Sequence, residues 1–354
     1  MNRTAISYDT FNRKHSFEGH PENFRRMEAI WSLLESDGIL ETLIHVPTRP
    51  APMDAILKVH TEDYIQRLRA ICEEGGGRLD TDTYITPDSF HAAELAAGGL
   101  IEVVDTVLRG DADNGFALIR PPGHHAYSDW GTGFCLMNNP AIAARWAQEQ
   151  YNMDRILIVD FDVHHGNGTQ DIFYFDPTVM FFSIHQYPFY PRTGAATDFG
   201  LYAGTGSTVN VPFPGYVGDT GYLAAFHQIL GPAAYDFEPE LIIVSAGYDA
   251  HWMDPLASMR VSIRGYYEMV GDLMRLAHDL CDGYLVFELE GGYQLDVLAH
   301  SVLTTLRRLQ DAGQGPSDPF GPAPGEEKYA LSLVEQLRAM HGLSELPYNA
   351  LPPT

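Results

Sequence analysis

Five short apolar runs punctuate the chain: Phe116–Ile119, Ile156–Val159, Val179–Ile184, Leu241–Val244 and Tyr284–Phe287. Each is strand-length, continuous rather than alternating, and bounded by turn residues. Around them lie stretches with helical spacing of apolar positions: Glu22–Glu35, Thr61–Glu73, Ser89–Leu108, Ala141–Gln150, Gly221–Tyr235 and Gly265–Leu280. Continuous apolar strands separated by helices predict an α/β fold with a parallel sheet covered on both faces. Nothing marks a boundary before residue 311, so residues 1–311 are expected to form one domain. Residues 312–325, AGQGPSDPFGPAPG, are rich in Pro and Gly and read as a linker. A short helical pattern, Tyr329–Met340, follows, so 312–354 is expected to be a linker and C-terminal helical tail.

In parallel sheets, sites form beyond the carboxyl ends of the strands. The unusual polar clusters sit there: RPPGHHAY after Phe116–Ile119, DFDVHHGNG after Ile156–Val159, SAGYDAH after Leu241–Val244 and ELEGGY after Tyr284–Phe287. Four such placements point to a single site.

Composition narrows the partners. The chain has 354 residues, 22 Lys and Arg against 47 Asp and Glu, and a formal charge of −25. No basic cluster suited to phosphates is visible, which argues against nucleic acid as a partner. The acidic surface reads as solubility, or as attraction for cationic substrates such as lysine-rich segments and polyamines. Three cysteines, Cys72, Cys135 and Cys281, offer no CxxC spacing and support neither a disulfide framework nor a thiolate zinc site. The N-terminus lacks an apolar signal region, and the apolar runs are far too short to span a membrane. A soluble, cytoplasmic protein without a membrane partner is expected, with a homo-oligomer left open.

Asp160-Phe161-Asp162-Val163-His164-His165 carries the most specific chemistry. In extended backbone Asp160, Asp162 and His164 share one face. Unpaired carboxylates at the end of a buried strand repel each other and resist desolvation, and a divalent cation resolves the conflict. Alternatively, the pair caps the following turn through backbone N–H groups. Asp249 is a third ligand by its position at the same side of the sheet, or a turn residue. His124 and His125 follow two prolines and a glycine. Such a pair suits acid–base work beside a metal, further metal ligation, or a solvated loop. Tyr293, after two glycines, offers either a donor for a developing oxyanion or a satisfied core phenol. Phe134, Phe189 and Tyr190 are aromatics that either wall an apolar channel or make ordinary loop packing.

Taken in order, RPPGHHA, GFCLMNN, DFDVHHGNGTQDIF, SIHQYPFYPRTG, SAGYDAHWMDPL and ELEGGY resemble the motifs of the zinc-dependent histone deacetylase family. GHPENFRRMEAI and LDTDTYITPDSFHAAELAAGG fit too, and the resemblance runs from about Tyr8 to about Leu309. The details are similar to the class II branch and its bacterial amidohydrolases. The resemblance implies the arginase–deacetylase fold, one central parallel sheet of about eight strands with helices on both faces. It implies zinc held by Asp162, His164 and Asp249, the tandem histidines His124 and His125, and Tyr293 polarising the substrate carbonyl. Asp160 would orient His124. Asn167 stands where some members carry an aspartate, which would leave His125 less polarised. A monovalent cation, usually potassium, would lie near Asp160 with Ser183 and the backbone of Ile184, Asp162 and His164. Gly133 would contact the substrate amide, with Phe134 and Tyr190 flanking the acyl-lysine channel.

The implied activity is removal of acetyl or other acyl groups from lysine-type amines, on proteins or small N-acyl amines. The polyamine-selective branch carries a glutamate where this chain has Leu256, which favours acyl-lysine. Acetylpolyamine hydrolysis is the alternative, and a non-catalytic acyl-ligand binder is the alternative of another class. A two-manganese ureohydrolase is disfavoured because its DxHxD pattern is absent. Arg192 occupies a place often held by a small residue and bears on the channel mouth.

Overall fold

The computed structural model describes residues 1–311 and 318–344. Ten strands appear among these residues: β1 Thr4–Tyr8, β2 Ile44–Val46, β3 Gly77–Arg78, β4 Tyr84–Ile85, β5 Asn114–Leu118, β6 Ile156–Asp160, β7 Val179–Gln186, β8 Thr208–Phe213, β9 Leu241–Ala246 and β10 Leu285–Leu289. Eight of them form one sheet in the order β2-β1-β5-β10-β9-β6-β7-β8, and β3 pairs with β4 separately. Every pairing in the large sheet is parallel. This is the single central parallel sheet expected from the continuous apolar strands.

Strand side chains alternate between two cores. In β6, Leu157 and Val159 enter one cluster, while Ile156 and Ile158 enter the other. Ile242 and Val244 of β9 divide from Leu241 and Ile243 in the same way. Helices Ser89–Leu108 and Asn139–Tyr151 cover one face; Arg25–Asp37, Ile263–Leu280 and Leu295–Leu309 cover the other. The spacing-based helices match within a few residues. The exception is Gly221–Tyr235, which resolves into Asp219–Ala225, a π-helical turn Phe226–Leu230, and Gly231–Phe237.

One expectation needs correction. The first helix begins at Arg25, not Glu22. Asn23 accepts the Arg25 N–H at 2.9 Å, and Pro21 precedes it, so Glu22 lies in the entering loop.

Of the C-terminal region, 312–317 and 345–354 lie outside the described residues. The helix Leu331–Met340 buries Val334 and Leu337 in the same core as β6 and β9. The segment before it lies along the loop after β9. Asp318 accepts the Ile263 N–H at 2.9 Å, and the Trp252 indole N–H donates to the Gly321 carbonyl at 3.3 Å.

Candidate active site

β5, β10, β9, β6 and β7 are consecutive neighbours in the sheet, and their C-terminal loops converge. β6 stops at Asp160, so Asp162 and His164 do not share a strand face as the extended reading required. Backbone bonds set the turn instead. Asp160 Oδ1 accepts the Asp162 N–H at 3.1 Å, and Asp162 Oδ1 accepts the His164 N–H at 2.8 Å. Asp162 Oδ2 accepts the Gly291 N–H at 2.8 Å, and Asp249 Oδ1 accepts the Val163 N–H at 2.9 Å. The same carboxylates therefore cap turns and converge on one point.

Asp162, His164 and Asp249 bring ligand-type atoms within 4.8 Å of one another. His164 Nδ1 lies 3.1 Å from both Asp162 Oδ1 and Asp249 Oδ2. Asp249 is fully buried, and beyond its contact with His164 its Oδ2 has no hydrogen-bond partner. Burial opposes a charge on His164, but its bonds to the two carboxylates outweigh that and raise its pKa to about 10. A donor set that concentrates negative charge in this way is suited to a cation. Two oxygens and one imidazole nitrogen fit a divalent metal with open positions. The glycines make room for the approach: a Cβ on Gly247 would sit 2.1 Å from Asp162 Oδ2, and one on Gly291 2.3 Å from Asp249 Oδ2.

A second cluster, His124, Cys135 and Glu290, also gathers potential ligands. Its carboxylate, thiol and His124 Nδ1 are already engaged. Glu290 accepts the Gly123 N–H at 2.7 Å and the His124 N–H at 2.9 Å. His124 Nδ1 pairs with Asp160 Oδ2 at 2.9 Å. This cluster shapes the tandem-histidine loop and leaves one candidate metal centre among the described residues.

The two histidines differ in kind. Burial opposes charging His124, but Glu290, Asp160 and Asp162 together raise its pKa to about 10. His125 is pushed well below the ordinary value, first by burial and then by the charges of His124 and His164. His125 Nδ1 lies 2.6 Å from Asn167 Oδ1. An amide oxygen only accepts, so Nδ1 carries the proton and Nε2 keeps its lone pair. Burial, opposed by the His124 charge, leaves Asp160 raised to about 6. Asp160 pairs in register with Ser183. Ser183 Oγ lies 2.9 Å from His185 Nδ1, and Ile184 is buried beside it in β7.

The other expected residues connect to this cluster through ring and backbone contacts. Gly133 has φ 56, and a Cβ there would meet His125 Cδ2 at 2.2 Å. Phe134, also left-handed at φ 72, stands edge-on to Tyr293 with ring centroids 5.9 Å apart. Tyr190 stands edge-on to His125 at 5.2 Å and to His164 at 6.1 Å. Leu256 is half-buried, and its N–H donates to Asp254 Oδ1 at 2.9 Å. The other oxygen of Asp254 accepts the Tyr293 N–H at 2.7 Å. Phe189 stacks on His164 at 5.6 Å. Asp254 and the bracing role of Glu290 were not legible in the sequence.

The chain matches the family described as "Histone deacetylase domain" over residues 20–309. It belongs to the histone deacetylase family. A probable deacetylase of Archaeoglobus fulgidus is 43% identical over 279 residues, covering 78% of this chain and 77% of the relative. The chloroplastic histone deacetylase 10 of Oryza sativa is 42% identical, covering 83% and 70%. The crystal structure of the HDA15 HD domain superposes with a TM-score of 0.87 at 35% identity, covering 96% of this chain and 94% of that one. A histone deacetylase family chain with a sheet of this order has the arginase–deacetylase fold, and the family supports hydrolysis of acetyl-amides. No helix among the described residues is long and apolar enough to cross a membrane.

Proposed function

We propose that this chain is a zinc-dependent hydrolase that removes acetyl groups from lysine-type amines, releasing acetate and free amine. The observation that carries the proposal is the meeting of an Asp-His-Asp donor set with His125, whose Nε2 is free to accept a proton. Zinc held by Asp162, His164 and Asp249 would supply Lewis acidity to the acyl carbonyl and to water. His125 takes a proton from the attacking water at Nε2 and returns one to the leaving amine. His124, held by Asp160 at 2.9 Å, sets the field beside it. The Tyr293 hydroxyl donates to the carbonyl oxygen as negative charge develops. Phe134 and Tyr190 hold the alkyl stem of the substrate, and Gly133 faces its amide. Potassium near Asp160, Ser183 and Ile184 would balance the carboxylate behind the zinc ligands. Residues 1–311 carry this chemistry, with the region from 312 onward accessory to it.

Leu256 speaks for acyl-lysine over acetylpolyamines. It offers no charge to a distant ammonium, which would be left desolvated and unpaired. The charge of −25 favours the second reading, acetylpolyamine hydrolysis, because it draws polycations toward the molecule. Long-range attraction is screened by salt and does not replace a positioned carboxylate. A binder without turnover is disfavoured by the presence of Tyr293 and both histidines. The test is kcat/KM of the zinc-loaded protein on acetyl-lysine peptides, acetylspermidine, acetylputrescine and small amides at physiological salt. Preference for acetyl-lysine is expected. A tenfold preference for an acetylpolyamine overturns the substrate class, and binding without product from any member overturns the enzyme.

A further inference from the structure

Away from the metal centre lies a buried cluster of charges that the proposed chemistry does not use. Glu22 and Arg26 are fully buried, and Arg120 is 2% exposed. The Glu22 carboxylate faces Arg120 in a fork: Nε to Oε1 at 2.6 Å and Nη2 to Oε2 at 2.6 Å. Glu22 Oε1 also accepts from Arg26 Nη1 at 3.2 Å. The Tyr84 hydroxyl accepts from Arg120 at 2.8 Å and donates to the Glu22 carbonyl at 3.1 Å. His15, whose nearest nitrogen is 3.9 Å from Glu22, is held neutral by burial and by Arg120, its pKa lowered to about 3. One carboxylate thus joins two guanidiniums.

Each guanidinium leads to a different part of the site. Arg120 begins the Arg120-Pro121-Pro122-Gly123 approach to His124 and His125. Arg26 donates to the Gly292 carbonyl at 2.7 Å and to the Glu290 carbonyl, and its guanidinium lies 5.1 Å from the Tyr293 ring centre. The histidine loop and the tyrosine loop come from β5 and β10, and the register of those strands fixes only their bases. Above the strands, the Glu290 side chain is one tie between the loops, and Arg26-Glu22-Arg120 is a second.

We propose that Glu22 is a positioning residue that fixes the spacing between the Tyr293 phenol and the tandem histidines. The proposal rests on the catalytic reading of Tyr293 and His125 above. A buried ion network is weak support for stability, because apolar side chains of similar volume hold a core as well. Its particular contribution is geometry: a forked carboxylate–guanidinium pair fixes direction as well as distance. Oxyanion donors and bases lose rate steeply when displaced by fractions of an ångström to one ångström. Glu22→Gln keeps the volume, leaves both guanidiniums without a counter-charge, and replaces one acceptor with a donor.

The test is a double-mutant cycle of Glu22→Gln with Tyr293→Phe on an acetyl-lysine peptide. Expected is a fall in kcat of about tenfold for Glu22→Gln, with KM, zinc content and hydroxamate affinity within about twofold. In the Tyr293→Phe background the further loss shrinks to less than about twofold, because the phenol being positioned is gone. Additive losses, a change confined to KM or zinc content, or an unaltered kcat overturns the proposal. Arg120→Lys keeps the charge but loses the fork, and serves in the same cycle if Glu22→Gln does not fold. A second arm needs no turnover: 3-fluorotyrosine placed at 293 and followed by 19F NMR. Its resonance is expected to shift or broaden in the Glu22 or Arg120 variant, and an unchanged line overturns the proposal. If the wild type turns over no acyl-amine, the catalytic reading fails, while the 19F arm still decides whether Glu22 braces Tyr293.

Discussion

At the floor of the candidate site, Asp160, Asp162, Asp249, His124 and His125 are at most 4% exposed, and every one has a side-chain or backbone partner. At the rim, Tyr190 is 43% exposed, and Arg192 is exposed with its backbone at φ 72. The Arg192 N–H closes a turn onto the Phe189 carbonyl at 2.7 Å. The floor is over-determined: each carboxylate caps a neighbouring loop as well as facing the centre. The rim is held by one loop and a few ring contacts. On the proposed function, such a floor fixes the reaction, while the rim is free to vary in what it admits. Floor substitutions should therefore abolish chemistry, and rim substitutions should redistribute substrates.

The largest effect is expected from Asp249→Ala. It removes a ligand-type oxygen and the acceptor of the Val163 N–H together. Zinc content and turnover should fall in parallel, and full zinc occupancy with undiminished kcat would remove Asp249 from the donor set. Tyr293→Phe comes next. Loss of one oxyanion donor costs on the order of 10²–10³-fold in rate, ~3–4 kcal/mol, and should fall on kcat. A loss confined to KM would assign the hydroxyl to ground-state binding.

Leu256→Glu tests the rim. The new carboxylate should move the kcat/KM ratio of acetylspermidine over acetyl-lysine peptide upward by about tenfold, roughly the range for one positioned charge pair. A ratio that stays put would show that residue 256 does not read the distal ammonium.

Asn167→Asp is a smaller change within the floor. A carboxylate in place of the amide favours the charged imidazole, so the His125 pKa should rise from its depressed position. His125 must be neutral to accept a proton, so the acid limb of kcat/KM should move to higher pH. A limb that moves down, or not at all, would detach Asn167 from His125. The smallest effect is expected from Arg192→Gly. Glycine adopts φ 72 without strain, so thermal unfolding should shift upward by the equivalent of about 1 kcal/mol. Hydroxamates with an apolar stem should bind within a few-fold of wild type; a large gain would mean that Arg192 obstructs the channel.

The sheet was legible because its central strands are buried on both faces and read as unbroken apolar runs. The strands toward the two ends of the sheet were not. β1, TAISY, second from one end, mixes Thr and Ser with its apolar residues, and the edge strand β8, TVNVPF, contains a proline that speaks against a strand. Helix Leu295–Leu309 follows the Glu290-Gly291-Gly292-Tyr293 motif and was passed over in favour of that motif. The site was legible as residue types at strand ends, which is why Asp162, His164, Asp249 and the histidines could be named. Its bracing was not. Glu22 and Arg120 are 98 positions apart, and nothing local to either predicts a forked pair. Asp254 reads as an ordinary Asp-Pro turn until the Tyr293 loop is seen resting on it.

The central claim is that one metal, held by Asp162, His164 and Asp249, drives hydrolysis of an acetyl-lysine amide. The direct measurement is acetate release from an acetyl-lysine peptide by chelator-stripped protein, titrated with zinc while bound metal is counted. The account predicts that activity rises linearly and levels off at one zinc per chain, and that Asp162→Asn and Asp249→Ala abolish both binding and release. Full acetate release by the stripped protein, or a plateau at two metals per chain, would contradict it.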